Sequence, residues 1–338
     1  MLLTGRAGIT MGLVLASLCF IACPRSELPP QPRVKISERP AVTPTPTPAP
    51  LAVAFNGERA LEHVRKQIEI GPRPPGSPEL AKTREYIIKE FTSAGVRVIT
   101  DQFTAATPQG EKKMVNITAE IRGASKDVII IASHYDSKYF KDMKFVGAND
   151  PGASVGTLLE LGRVLAGTEP KLTYWLVFFD GEEAFCENWD DCGKPDAPDN
   201  TYGSRRFVGQ LREGKELERV RALILLDLMG YKNLELGRDT ISTRWLQDIV
   251  WQTARDLGYR KYFVDRPEEV GGDDHEPFLQ AGVPAVDLIQ LNGYPYWHRA
   301  DDTLDKISAK SMKIVGDVVS ASLPRIEQRL LSKENMKN

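Results

Sequence analysis

Three carboxylates that follow an apolar run are the residues best suited to chemistry in this sequence. The run 175–179 is aromatic and branched, and Asp180, Glu182 and Glu183 come immediately after it. Such a run is typical of a strand buried on both faces of a sheet. Ligands of open α/β sheets lie just beyond the carboxyl ends of the strands. Two adjacent glutamates at that place point in different directions, so one can bind a metal while the other transfers a proton.

Further candidate ligands are few, because the chain has only four histidines. Those that follow predicted strands or lie in the next loop are His134, Asp136, Asp150, Asp227 and His298. Zinc binds imidazole nitrogen and carboxylate oxygen, and a catalytic zinc site leaves one position open. Any one of these residues alone is compatible with a capped turn or a solvated carboxylate. Together they predict a catalytic metal site, whereas His63, on an amphipathic helix, is interpreted as structural.

Strands alternate with helices along most of the chain. Predicted strands cover 96–103, 114–121, 127–133, 175–179, 222–228 and 283–289. Predicted helices cover 57–70, 78–95, 153–166, 202–211, 243–257 and 306–330, with a short helix before Gly282. This alternation predicts an α/β fold, a three-layer sandwich with a mixed, largely parallel central sheet.

The composition is that of an ordinary globular protein. Of the 338 residues, 41% are hydrophobic and 27% are charged, and the net charge is -2. That length can bury a substantial core. There is no basic excess of the kind that nucleic-acid binding requires, so no nucleic-acid partner is predicted.

The N-terminal 50 residues are predicted to lie outside the fold. Arg6 and the apolar stretch 9–22 are typical of a signal peptide, predicted as 1–22. Phe20-Ile21-Ala22-Cys23 resembles the lipobox of bacterial lipoproteins, so Cys23 is the expected lipid anchor and simple secretion is the alternative. Residues 24–50 contain nine prolines, which predicts an extended linker over 23–50. The catalytic domain is predicted as 51–338.

Export changes the interpretation of the remaining cysteines. Cys186 and Cys192 lie six residues apart, directly after the glutamates. In an oxidising compartment they can close a short disulfide that stiffens this loop. Two zinc thiolates are the alternative, although no second pair of cysteines is present to complete such a site.

Seven ordered motifs carry a resemblance to a known family. They are 134–140 (HYDSKYF), 147–150 (GAND), 179–185 (FDGEEAF), 202–205 (YGSR), 226–228 (LDL), 273–275 (DDH) and 297–298 (WH). In this order they resemble the animal-type glutaminyl-peptide cyclotransferases, which are related to the zinc aminopeptidases. The resemblance runs from about Gly71 to the last helix and implies a zinc aminopeptidase-like fold.

The resemblance also implies roles for individual residues. One zinc ion would be held by Asp150, Glu183 and His298. Glu182 would be the general base and acid, supported by a carboxylate network of Asp273 and Asp227. The substrate pocket would be walled by Trp297, Trp189 and Tyr294. The implied reaction converts the N-terminal glutamine of peptides or proteins to pyroglutamate with release of ammonia.

A two-zinc aminopeptidase is the alternative within the same superfamily. His134 and Asp227 would then hold a second metal, with Asp150 between the two ions, and Asp136 would bind or orient that site. Ligand count does not separate the two activities, but Asp273 and Trp297 favour the cyclase. Asp287 stands where the animal enzymes carry histidine. Asp302, like Asp301, is interpreted as a solvated helix cap rather than as a residue that orients His298.

Overall fold

The computed structural model describes residues 53–189, 191–195 and 197–335, so the predicted signal peptide, linker and Cys23 lie outside the described residues. Contacts divide the chain into Met1–Pro46 and Thr47–Asn338, and the described residues belong to the second unit. Its helices are α1 Gly57–Ile70, α2 Pro78–Ser93, α3 Ser154–Ala166, α4 Tyr202–Glu213, α5 Arg244–Asp256, α6 Glu276–Gln280 and α7 Ala309–Asn335. None of these helices combines the length and the apolar character needed to cross a membrane.

The strands of the described chain are β1 Arg97–Thr107, β2 Gly110–Ile121, β3 Val128–His134, β4 Thr173–Phe179, β5 Gly193–Lys194, β6 Ala197–Pro198, β7 Val220–Leu226, β8 Leu236–Asp239, β9 Phe263–Glu268 and β10 Ala285–Leu288. Six of them form the central sheet, in the order β1-β2-β4-β3-β7-β10. β1, β2 and β4 pair antiparallel, whereas β4, β3, β7 and β10 pair parallel. The predicted mixed, largely parallel sheet is therefore confirmed.

Helices cover both faces of this sheet, because alternate residues of its central strands point to opposite sides. Ile129 and Ile131 of β3 belong to the larger core, which also contains buried residues of α1, α3, α5 and α7. Val128 and Ile130 belong to a second core, which α4 and α6 complete on the other side of the sheet. Both faces of β3 are buried, which explains its uninterrupted apolar sequence.

The principal helices and strands begin and end within a few residues of their predicted bounds. The Ser77 side chain caps α2 by accepting from the backbone N–H of Leu80, and Pro78 is the first helical residue, as the sequence indicates. Two strand pairs were not predicted: β5 with β6, and β8 with β9. Both involve short or polar strands, whose sequences do not alternate over enough residues to predict a sheet.

Candidate active site

Three parallel strands bring the candidate residues to one edge of the sheet. His134 is the last residue of β3, Asp227 follows β7, and Glu182 and Glu183 follow β4. β3 lies between β4 and β7 in the sheet, so their carboxyl ends are adjacent. The predicted clustering of these four side chains follows directly from this strand order.

One cluster of potential metal ligands consists of Asp150, Glu183 and His298. Each offers a ligand atom within 4.8 Å of the others. His298 Nε2 lies 3.2 Å from Glu183 Oε1 and 3.5 Å from Asp150 Oδ2. Both carboxylates are buried, and Glu183 Oε2 has no hydrogen-bond partner among the described residues. Two carboxylate oxygens and an imidazole nitrogen in this arrangement are a donor set that suits zinc.

Asp150 is held in place by the segment that carries it. It lies in an irregular helical turn, Ala148–Ala153. Both oxygens of the Asp302 carboxylate accept from this turn, one from the backbone N–H of Asn149 at 2.9 Å and the other from that of Asp150 at 3.1 Å. Asp302 is fully buried, so its interpretation as a solvated helix cap is wrong. It fixes the backbone of Asp150. Among the described residues, its side chain makes no hydrogen bond to His298.

His298 reaches the same cluster from a turn after β10. Its φ of 53° is left-handed, a conformation that residues other than glycine adopt uncommonly. The Trp297 ring stacks on the imidazole, with centroids 4.2 Å apart and an interplanar angle of 25°. Phe140 and Phe145 meet the imidazole edge-on. These aromatic contacts fix the ring orientation and leave Nε2 directed at the carboxylates.

Asp136 organises the turn that presents the two glutamates. Its Oδ1 accepts from the backbone N–H groups of Gly181 at 2.8 Å and Glu182 at 3.1 Å, and its Oδ2 accepts from Glu183 N–H at 3.3 Å. Gly181 has φ 73°, and an added Cβ would come within 2.7 Å of the Met114 sulfur. Asp136 thus positions the glutamates through their backbone rather than joining a ligand cluster.

The side chains of Glu182 and Glu183 have opposite electrostatic environments. Burial raises the pKa of Glu182 well above its usual range. The nearby His134 opposes this rise, whereas the charges of Glu183, Asp273 and Asp274 add to it. Burial would also raise the pKa of Glu183, but His298 and Lys138 outweigh it and lower that pKa to about 2. Adjacent carboxyls with such divergent affinities for a proton are typical of an acid/base residue beside a metal ligand.

A second cluster shares Asp150 with the first. His134 Nε2 lies 3.3 Å from Asp150 Oδ1 and 3.3 Å from Asp227 Oδ1, and the three ligand atoms lie within 4.8 Å of one another. His134 Nδ1 is 3.0 Å from the backbone carbonyl of Asp136. The ring is thereby oriented with Nε2 toward both carboxylates. The geometry therefore accommodates either one or two metal ions.

A cavity of about 180 Å³ opens beside these clusters. It is smaller than the clefts of about 300–1,000 Å³ that hold drug-sized ligands, so it suits the side chain of a single residue. Polar groups in its wall come from the residues described above, and its apolar wall includes Trp189, Trp297, Leu228 and Ile289. Trp297 is 42% exposed and therefore stands at the mouth of the cavity.

Comparison with known proteins identifies the family of this chain. Residues 116–323 match the model of peptidase family M28. The glutaminyl-peptide cyclotransferase of Bos taurus is 32% identical over 272 residues, which cover 70% of this chain and 73% of the bovine protein. The chain belongs to the glutaminyl-peptide cyclotransferase branch of peptidase family M28.

Solved structures place this family member among enzymes of the same fold. The crystal structure of a glutaminyl cyclase from an Acidobacteriales bacterium is 37% identical, with a TM-score of 0.77, and the match covers 86% of this chain and all of the other. A leucine aminopeptidase precursor from Bacteroides thetaiotaomicron has a TM-score of 0.74 at 26% identity, over 80% of this chain and 97% of that one. The predicted zinc aminopeptidase-like fold is confirmed.

Tyr294 is the predicted pocket residue that the structure places elsewhere. It is buried, it does not line the cavity, and its hydroxyl donates to Asp302 Oδ1 at 2.6 Å. Its ring packs beside Tyr231 and Tyr296, behind the cavity wall. Tyr294 therefore supports Asp302 and does not line the substrate cavity.

This placement gives a test. Tyr294→Phe is expected to lower the free energy of unfolding by about 1.5–3 kcal/mol, because it removes a buried hydrogen bond to a carboxyl. The KM for a glutamine-initiated peptide should stay within about twofold of the original value, because the ring remains and does not line the cavity. Urea unfolding and initial-rate kinetics measure the two quantities. A large rise in KM at unchanged stability would place Tyr294 in the substrate site.

Two buried basic side chains near the site were not predicted from the sequence. Arg73 is fully buried and donates to the carbonyls of Val146 and Gly147, just before Asp150. Lys138 donates to the carbonyl of Ala184 at 2.8 Å and lies 3.9 Å from Glu183 Oε2. Lys138 lies in one of the seven motifs, and this position could have indicated its place near the site. Arg73, in a proline-rich turn, gave no such indication.

The two loop cysteines form a disulfide between Cys186 and Cys192. The zinc-thiolate alternative is therefore not what the structure shows. The bridge lies in the loop that carries Trp189, and Asp199 accepts from the backbone N–H groups of Phe185 and Cys186 in the same region. The disulfide and the Asp199 carboxylate together tie this loop to the turn after the glutamates.

Proposed function

We propose that the protein is a zinc-dependent glutaminyl-peptide cyclotransferase, an acyltransferase that converts N-terminal glutamine of peptides or proteins to pyroglutamate and releases ammonia. The observation that carries the proposal is one small cavity lined by Glu182, by the cluster of Asp150, Glu183 and His298, and by Asp273. The similarity to glutaminyl cyclases over most of the chain supports the same activity.

The residues fit one zinc ion. Asp150, Glu183 and His298 supply oxygen and nitrogen atoms close enough to share an ion. The buried oxygen Glu183 Oε2 has no hydrogen-bond partner among the described residues, and a bound ion would account for this. When bound, zinc would act as a Lewis acid that polarises the side-chain amide of the substrate.

Glu182 is the residue that we assign to proton transfer. In the reaction, a bond forms between the α-amine nitrogen and the side-chain carbonyl carbon, and the bond from that carbon to the amide nitrogen breaks. The proton lost by the amine must reach the leaving nitrogen, which then departs as ammonia. One carboxylate that faces the cavity can take and return this proton, provided that its pKa is raised toward neutrality. Burial beside Glu183 and Asp273 raises the pKa of Glu182 in this direction.

The remaining residues bind the substrate and exclude water. Trp189 and Trp297 form part of the apolar wall of the cavity, and Leu228 and Ile289 also line it. The reaction needs no water molecule as reactant, so apolar walls that exclude water favour cyclisation over hydrolysis. We assign Trp189 and Trp297 to contacts with the substrate residue and its flanking peptide.

An aminopeptidase with two zinc ions is the second candidate, and the cluster of His134, Asp150 and Asp227 is the observation that favours it. In that case Glu182 would activate a water molecule for attack on the first peptide bond. The structural similarity to a leucine aminopeptidase precursor also allows this activity. The two candidates differ in substrate and in metal content.

A paired assay separates the candidates. Purified protein is incubated with a glutamine-initiated peptide and, in parallel, with a leucine arylamide, and metal content is measured on the same sample. Ammonia release without arylamide hydrolysis, at about one zinc per chain, is the expected result. Arylamide hydrolysis at two zinc ions per chain, with no cyclisation, would replace the cyclase with the aminopeptidase.

We also propose that the protein is exported and anchored to a membrane by a lipid on Cys23, with secretion or a periplasmic location as the alternative. The apolar stretch and the lipobox-like sequence support this proposal. The Cys186–Cys192 disulfide supports export, because disulfides persist mainly in oxidising compartments. The lipid is the one membrane contact proposed.

A further inference from the structure

A buried carboxyl to which the proposed chemistry gives no role, that of Asp287, lies next to Asp273. Asp287 on β10 is fully buried, and Asp273, which lines the cavity, is 2% exposed. Neither oxygen of Asp287 receives a hydrogen bond from a donor among the described residues, and Asp273 Oδ2 also lacks a donor. Buried polar atoms without partners are rare in native proteins, so these three oxygens require an explanation.

The carboxyl groups of Asp273 and Asp287 are close neighbours. Each offers an oxygen to a group that also includes a ring nitrogen of His275, and these atoms lie within 4.8 Å of one another. Ionised carboxylates only accept hydrogen bonds, so two of them in contact cannot bond to each other unless one carries a proton. Two buried carboxyls that share a site do not both ionise, because their like charges repel in a medium of low polarity.

The surroundings of Asp287 indicate which carboxyl carries the proton. The groups that act on it most strongly are the carboxyls of Asp273, Asp239 and Asp227, all of which disfavour its negative charge. His275 Nδ1 is 4.0 Å away, beyond a hydrogen bond. Burial, followed by these three carboxyls, raises the pKa of Asp287 well above its usual range. Asp273 differs from Asp287 in having one donor, the backbone N–H of Asp274 at 2.5 Å.

A series of hydrogen bonds next to Asp287 holds its backbone and stabilises negative charge on Asp239. The backbone N–H of Asp287 donates to Ser242 Oγ at 2.9 Å, and the Ser242 hydroxyl donates to Asp239 Oδ2 at 2.5 Å. His275 Nε2 donates to the same oxygen at 3.1 Å. Burial opposes the charge on Asp239, yet these hydrogen bonds keep its pKa below the usual value. Asp239 thus has two donors that stabilise a negative charge, whereas the oxygens of Asp287 have none among the described residues.

We propose that Asp287 is a protonated carboxylic acid that donates a hydrogen bond to Asp273 and so fixes the Asp273 carboxyl beside Glu182. Asp287 is then a positioning residue, which acts on the cavity only through Asp273. Its effect on turnover rests on the proposed cyclase function, whereas its protonation and its bond to Asp273 do not.

The test compares two substitutions at this position. Asp287→Asn keeps the shape and a donor, so kcat for cyclisation is expected to stay within about threefold of the original. Asp287→Leu keeps the branched shape but removes the donor, and kcat is expected to fall about 10- to 100-fold with little change in KM, as when a supporting partner of a site is lost. An equal loss of kcat in both variants would overturn the proposal, because it would mean that an ionised Asp287 is required.

Two further measurements decide the proposal even if no cyclisation is observed or the leucine variant does not fold. Infrared difference spectra of the original protein against Asp287→Asn at neutral pH should show the loss of one carboxylic-acid C=O band. If a carboxylate band is lost instead, Asp287 is ionised and the proposal fails. Metal content should be equal in the two proteins. A loss of one equivalent in the Asn variant would show that a buried cation, held by Asp273, His275 and Asp287, replaces the proton.

Discussion

Glu182→Gln is expected to lower kcat for cyclisation by about 10³-fold, within the range of about 10²–10⁴ that a positioned acid/base contributes. The amide keeps the size of the side chain but can no longer take a proton from the attacking amine. KM should change little, because the cavity wall is preserved. Continuous measurement of ammonia release from a glutamine-initiated peptide gives both constants.

Asp180→Asn is the matched control for this substitution. Asp180 precedes Glu182 in the same turn and is also a buried carboxyl, but its Oδ2 accepts from the backbone N–H of Val115 and from the Tyr135 hydroxyl, away from the cavity. Burial raises the pKa of Asp180 to about 8, so the amide reproduces its neutral form. The control should keep kcat within about threefold and zinc content unchanged. Comparable losses in both variants would assign the effect of Glu182→Gln to the turn rather than to proton transfer.

The sheet and its edge could be predicted because their sequence signals are local. Apolar runs such as 128–132 and 222–226 are buried on both faces, and the parallel order of β4, β3 and β7 then brings His134, the glutamates and Asp227 together. Each step uses the chemistry of consecutive residues. The resemblance to a family supplied what spacing alone could not, namely the choice of Asp150 and His298 as partners of Glu183.

The contacts that hold the site in place could not be predicted, because they join residues far apart in sequence. Asp302 reaches the backbone of Asp150 across 152 positions, and nothing in the sequence separates it from the exposed Asp301. Arg73 and Tyr294 belong to the same supporting structure, and both side chains face inward only because of how their turns pack. Burial of a polar residue in a loop is set by tertiary packing, which local sequence patterns do not report.

The number of metal ions is likewise not fixed by the ligand inventory. Asp150 belongs to both clusters, and the predicted ligands of either arrangement are present at suitable distances. His134 Nε2 is 3.3 Å from both Asp150 and Asp227, which is compatible with hydrogen bonds from a protonated imidazole as well as with a second ion. Burial would lower the pKa of His134, but Glu182 and the surrounding aspartates raise it well above its usual value. Metal content, rather than the ligand inventory, therefore decides between one ion and two.

His298→Gln should remove both the metal and the activity. With one of three protein ligands lost, zinc content is expected to fall below about 0.1 per chain after dialysis, since ligand number and geometry determine zinc binding. Cyclisation should fall by more than about 10³-fold, because polarisation of the amide is lost. Metal content is measured by inductively coupled plasma spectrometry, and ammonia release is assayed on the same preparation. His63→Gln is the matched control, since His63 lies on α1 and contacts Tyr86 rather than either cluster.

His134→Gln completes the comparison and separates one ion from two. If the ion is held by Asp150, Glu183 and His298 alone, this variant keeps about one zinc per chain, and only the electrostatic support of Glu182 and Asp150 by His134 is lost. If two ions are bound, the original protein contains two and His134→Gln loses one of them. Full zinc content in His298→Gln together with its loss in His134→Gln would move the metal to the second cluster. Glu183 would then be a buried carboxylate paired with His298 and Lys138 rather than a ligand.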